Sequence, residues 1–100
     1  MIEISSRDHV IVEKILHSIL SDEARVFVFG SRSFGTVKRS SDLDLAIDAG
    51  RKLTREEQQK LFDEFEESDL PYKVDIVDLN NVSESFKKII DSTKKPFLKS

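Results

Sequence analysis

The chain has 100 residues, of which 38% are hydrophobic and 35% charged, with a formal net charge of −3. This is globular usage, and a single domain spanning residues 1–100 is expected. The lack of cysteine excludes a disulfide scaffold, a cysteine nucleophile and a thiolate zinc site, and the dispersed cations argue against direct nucleic-acid binding.

Residues 7–20 read as a helix, because Val12, Ile15, Leu16 and Ile19 recur at helical spacing and Ser5 or Ser6 stands ready to cap it. Arg25 to Phe29 is a run of β-branched and aromatic residues ending at Gly30, the pattern of a strand buried on both faces. Leu43, Leu45 and Ile47 alternate with Asp42, Asp44 and Ala46, a strand with two different faces that Ala49-Gly50 ends. Thr54 to Glu57 fits a capping box, opening a helix to about Ser68 with Leu61, Phe62 and Phe65 as its core stripe. Val74 to Leu79 reads as a third strand. A last helix runs from a Ser83 cap through Ile90, with Phe86, Ile89 and Ile90 as its apolar side. The Lys-rich tail around Pro96 is expected to be poorly ordered. The order α-β-β-α-β-α implies an α/β (α+β) fold, a small mixed sheet flanked by helices.

Asp42 and Asp44 are two residues apart on a strand, so they share a face, with Cα atoms on the order of 7 Å apart. Like charges held so close raise each other's pKa, and a divalent cation with a preference for hard oxygen ligands removes the conflict. Taken alone, the pair also reads as a turn residue and a solvated sheet position. Asp75 changes the weighing, because it sits within an apolar strand where an ionised carboxylate is costly unless paired or coordinated. Asp78 falls on the opposite face and reads as an exposed or capping residue. If the third strand lies beside the second, Asp42, Asp44 and Asp75 share one face and can hold two Mg2+ ions, an arrangement suited to in-line phosphoryl displacement.

Gly30 and Ser31 directly follow the first strand. Glycine lets a backbone approach a ligand closely, and successive N–H groups in a turn form an anion-binding nest. Arg32, Lys38 and Arg39 are candidate phosphate partners, although each also reads as a solvated surface residue.

The spacing of Gly30-Ser31, ten residues, then Asp42-x-Asp44 resembles the signature of the polymerase-β-type nucleotidyltransferase superfamily. The run Phe29 to Thr36 and Ser41 to Ile47, with Leu70 to Asp78, is similar to its minimal branch, the MNT proteins; the likeness covers about residues 25 to 90. The resemblance implies a minimal nucleotidyltransferase fold, with ATP as substrate and Mg2+ as cofactor. Gly30 and Ser31 would hold the β- and γ-phosphates, Asp42 and Asp44 the metal, and Asp75 would help activate the acceptor hydroxyl. Ser33 and Phe34 depart from the family, where alanine and a variable, often basic residue are common.

MNT proteins resemble the smaller member of a two-protein operon whose other product is a helical protein, often a HEPN-domain ribonuclease toxin. The resemblance therefore implies an antitoxin that transfers AMP to a tyrosine of its partner. Two other readings stay open: a binding-only antitoxin, and the catalytic subunit of a two-subunit transferase for a small-molecule acceptor. The intact set of three aspartates with Gly30-Ser31 favours an enzyme. His9 and His17, eight residues apart on the first helix, read as surface positions too distant to share a metal. Tyr72 either packs beside the sheet or touches a partner. No leader and no membrane span are visible, which makes the cytoplasm the expected location.

Overall fold

A computed structural model describes residues 4–21, 23–29 and 42–98. Its elements are α1 (Ser6–Ile19), β1 (Arg25–Phe29), β2 (Leu43–Asp48), α2 (Arg55–Glu67), β3 (Val74–Asp78), α3 (Glu84–Thr93) and β4 (Lys95–Leu98). The strands form one mixed sheet in the order β3-β2-β1-β4. β2 and β3 are parallel, joined through α2, and the other two pairings are antiparallel. The expected mixed sheet flanked by helices is present.

Each helix starts where a hydroxyl side chain can satisfy a free N–H group. Ser5 accepts from the Asp8 N–H, Thr54 from the Glu57 N–H within a complete capping box, and Ser83 from the Phe86 N–H. β2 ends at Gly50, whose φ of +78° suits a residue without a Cβ. There the Gly50 N–H and the Asn80 side-chain amide both donate to Asp48 Oδ1 at 3.0 Å.

Strand alternation divides the interior into two layers. Val26, Val28, Leu43, Leu45 and Ile47 point to one face and pack with Val12 and Leu16 of α1 and Leu61 and Phe65 of α2. Phe27, Phe29, Ala46 and Val77 point to the other, where α3 contributes Ile90. β1 is thus fully buried on one side and half-buried on the other, rather than sealed on both.

The tail differs from expectation. Lys95–Leu98 forms β4, which pairs antiparallel with β1 and buries Phe97 against the core. The Phe97 ring lies 4.4 Å from the His9 ring, and Lys94 Nζ sits 4.4 Å over the Phe27 ring. β1 would otherwise be an open edge, and pairing its backbone outweighs the low apolar content of the tail.

The helix stripes are also narrower than their sequence suggested. Phe62 is 59% exposed, Phe86 39% and Ile89 62%. On α2, Leu61 and Phe65 are four apart and face the core together, whereas Phe62 is turned about 100° from Leu61 and overhangs the sheet edge.

Candidate active site at the β2–β3 carboxylates

β2 directs Leu43, Leu45 and Ile47 into the layer under α1 and α2, so Asp44 must face the other way, with Asp42. β3 runs parallel to β2, with Asp44 and Asp75 as Cα partners. Partners on adjacent strands point to the same face, at a strand spacing of about 4.8 Å. Asp42, Asp44 and Asp75 are therefore on one face at one end of the sheet. Phe29, the last residue of β1, is the antiparallel partner of Asp44. Phe29 and Asp42, the described residues on either side of 30–41, are thus both at the carboxylate end of the sheet. Gly30, Ser31, Arg32, Lys38 and Arg39 lie outside the described residues.

The environments of the three aspartates differ. Asp44 is half-buried, while Asp42 and Asp75 are exposed. Burial raises the pKa of Asp44, and the charges of Asp75 and then Asp42 raise it further. The expectation that Asp75 is buried is corrected: β3 is an edge strand, and water reaches the Asp75 carboxylate from the open side. Among the described residues, no three His, Cys, Asp or Glu side chains close around a common point as a metal cage does. The chemistry of the donors still suits magnesium, being carboxylate oxygens only and reachable by water.

Asp78 has the structural task expected of it. Its Oδ2 accepts from the Leu53 N–H at 2.8 Å and its Oδ1 from the Asn80 N–H at 2.9 Å, tying the end of β3 to the start of α2. Tyr72 packs beside the sheet, and its hydroxyl donates to Oδ2 of the buried Asp8 at 3.0 Å. His9 and His17 flank Glu13 at 3.3 and 3.8 Å on the helix surface.

An open groove of about 1090 Å³ runs beside β3, between α2 and the start of α3. Asp75 lines it, so the groove leads into the carboxylate end of the sheet. The sequence does not reveal this feature, because Phe62 belongs to the expected core stripe of α2 and Phe86 to the apolar side of α3, yet both line the groove. Nothing in helical periodicity separates a residue over a sheet edge from one over its centre.

Comparisons with known proteins agree with this fold. The chain is 42% identical over 89 residues, 89% of its own length and 77% of the relative's, to the Haemophilus influenzae (strain ATCC 51907 / DSM 11121 / KW20 / Rd) protein named "Probable protein adenylyltransferase MntA". Among solved structures it superposes with a TM-score of 0.77, at 27% identity, on a chain of a toxin-antitoxin crystal structure with AMP-PNP, covering 93% of this chain and 74% of that one. The fold also matches, with a TM-score of 0.73 at 22% identity, a chain of the tri-AMPylated Shewanella oneidensis HEPN toxin in complex with MNT antitoxin, covering 97% of this chain and 74% of that one. A sequence model of the family described as "Polymerase beta, Nucleotidyltransferase" matches residues 13–100. Through that match and the shared fold, the chain belongs to the polymerase-β nucleotidyltransferase family.

Proposed function

We propose that this nucleotidyltransferase moves AMP from ATP to a hydroxyl of a HEPN-type toxin partner and so acts as its antitoxin. The register that sets Asp44 beside Asp75, with Asp42 on the same face, carries this reading. The name of the Haemophilus relative and the toxin-antitoxin context of the similar structures support the substrate and the partner.

Asp42 and Asp44 would hold Mg2+. Bound there, two ions would offset the charge of the triphosphate and of the attacking oxygen. The acceptor oxygen attacks the α-phosphorus, the bond from that phosphorus to the bridging oxygen of the β-phosphate breaks, and pyrophosphate leaves. Asp75 accepts the hydroxyl proton. Its exposure suits that role, because an acceptor approaching from the groove meets it first. Gly30 and Ser31 are assigned to the β- and γ-phosphates, and Arg32, Lys38 and Arg39 to the remaining phosphate charge. Such chemistry belongs where ATP is abundant, in the cytoplasm. Among the described residues no helix is long and apolar enough to cross a membrane.

Intact-mass spectrometry of the partner, incubated with this chain, Mg2+ and ATP, tests the proposal. The partner should gain one or more AMP masses, and lose that gain with Asp44→Asn. Asp75→Asn should keep triphosphate binding and lose turnover. A tight complex without any mass change, with each of the four triphosphates, would leave neutralisation by contact alone.

A further inference from the structure

The outer side of β3 is open among the described residues. Two hydrogen bonds show which of its backbone groups face outward. The Leu43 N–H donates to the Lys73 carbonyl and the Leu79 N–H to the Ile47 carbonyl, each at 2.9 Å. In a parallel ladder, bonding residues alternate along a strand, so Lys73, Asp75, Val77 and Leu79 turn their backbone groups to β2. Val74 and Ile76 turn theirs outward, into the groove.

That edge forms the floor of the groove. Phe62 of α2 and Phe86 of α3 line it from opposite faces of the sheet, both with much of their ring exposed. An open strand edge between two exposed aromatic rings is the arrangement that takes up an extended peptide, with backbone bonds giving affinity and side-chain pockets giving selectivity. Asp75 lines the same groove, so whatever occupies it lies against the carboxylates.

We propose that the acceptor-bearing segment of the partner protein docks here as an added strand, its backbone bonded to Val74 and Ile76. This docking presupposes the proposed transfer to a protein hydroxyl. Alternation within the added strand sets the hydroxyl residue on the Asp75 face and turns its immediate neighbours toward Phe62, which favours apolar residues there. The added strand lies one strand spacing from Asp75 and two, roughly 10 Å, from β2 and Asp44. A second copy of this chain is a poorer occupant, because Val74–Asp78 carries no hydroxyl and its pairing would close off the approach to Asp75.

Residue-resolved amide hydrogen exchange on this chain, alone and with the full-length HEPN-type partner, tests the docking. The Val74 and Ile76 amides should slow by about tenfold or more in the complex, while Asp75 and Val77, already bonded to β2, change less. A complex that leaves Val74 and Ile76 unchanged overturns the proposal, as does protection that grows with the concentration of this chain alone. Phe62→Ala should raise the KM for the partner about tenfold and leave ATP binding and kcat within about twofold. An unaltered KM overturns the assignment of the groove. Protection without any AMP transfer would sink the proposed function and leave a partner segment bound at this edge with no acceptor role; transfer without protection would overturn the docking and leave the proposed function standing.

Discussion

Asp44 and Asp75 are partners across the parallel β2–β3 ladder, one half-buried and one exposed, and the Asp75 charge adds to burial in raising the pKa of Asp44. Burial, Asp75 and Asp42 all make the ionised form of Asp44 costly, so the fold alone gives no reason to keep the charge. Asp44→Asn should therefore leave the melting temperature unchanged or raise it, while turnover falls about 100-fold or more. Thermal unfolding alongside the mass assay checks both halves. A drop of more than about 4 °C would make Asp44 a structural residue instead.

The α2 cap carries a pH-dependent contribution. Arg51 donates to both oxygens of Glu57 at 2.9 Å, and the Thr54 N–H donates to Glu57 Oε1 at 2.8 Å. Arg51 first and Thr54 next hold the Glu57 carboxyl down at about 2, against an ordinary value of 4.5. A depressed carboxylate adds stability above its unfolded pKa and loses it as pH falls through the folded one. Glu57→Gln should cost about 1 kcal/mol at pH 7, discounted for the exposure of Arg51. The difference from the parent chain should shrink between pH 4.5 and 2. Urea midpoints across that range would show it, and a constant difference would assign the effect to packing.

Tyr72 and Asp8 link the strand approach to the first turn of α1. Asp8 is 7% exposed, with Arg7 Nη1 3.5 Å from its Oδ1 and the Tyr72 hydroxyl on its Oδ2. Removing that hydroxyl takes a donor from a buried carboxylate. Tyr72→Phe should cost about 1–2 kcal/mol in chemical denaturation. No measurable loss would show that Arg7 and water suffice.

Phe97 tests whether β4 belongs to the folded unit. It is buried against the main core and the His9 ring. Phe97→Ala should lower stability by about 3 kcal/mol, as emptying a buried aromatic site does. A loss under about 0.5 kcal/mol would mean the tail contributes little in solution.

Period and punctuation in the chain determined α1, β1, β2, α2 and β3 to within a residue or two, and placed the start of α3, which runs on to Thr93, three residues past the expected Ile90. The Ser5, Thr54 and Ser83 caps, the shared face of Asp42 and Asp44, and the opposite facing of Asp78 were equally legible, because each depends on residues within one element. Which strands pair does not. The register that sets Asp75 beside Asp44, the exposure of Asp75, the overhang of Phe62 and Phe86 and the recruitment of Lys95–Leu98 to β1 all follow from the order β3-β2-β1-β4. An edge strand and a central strand read alike in sequence. Only tertiary pairing decides which backbone meets another strand and which meets water.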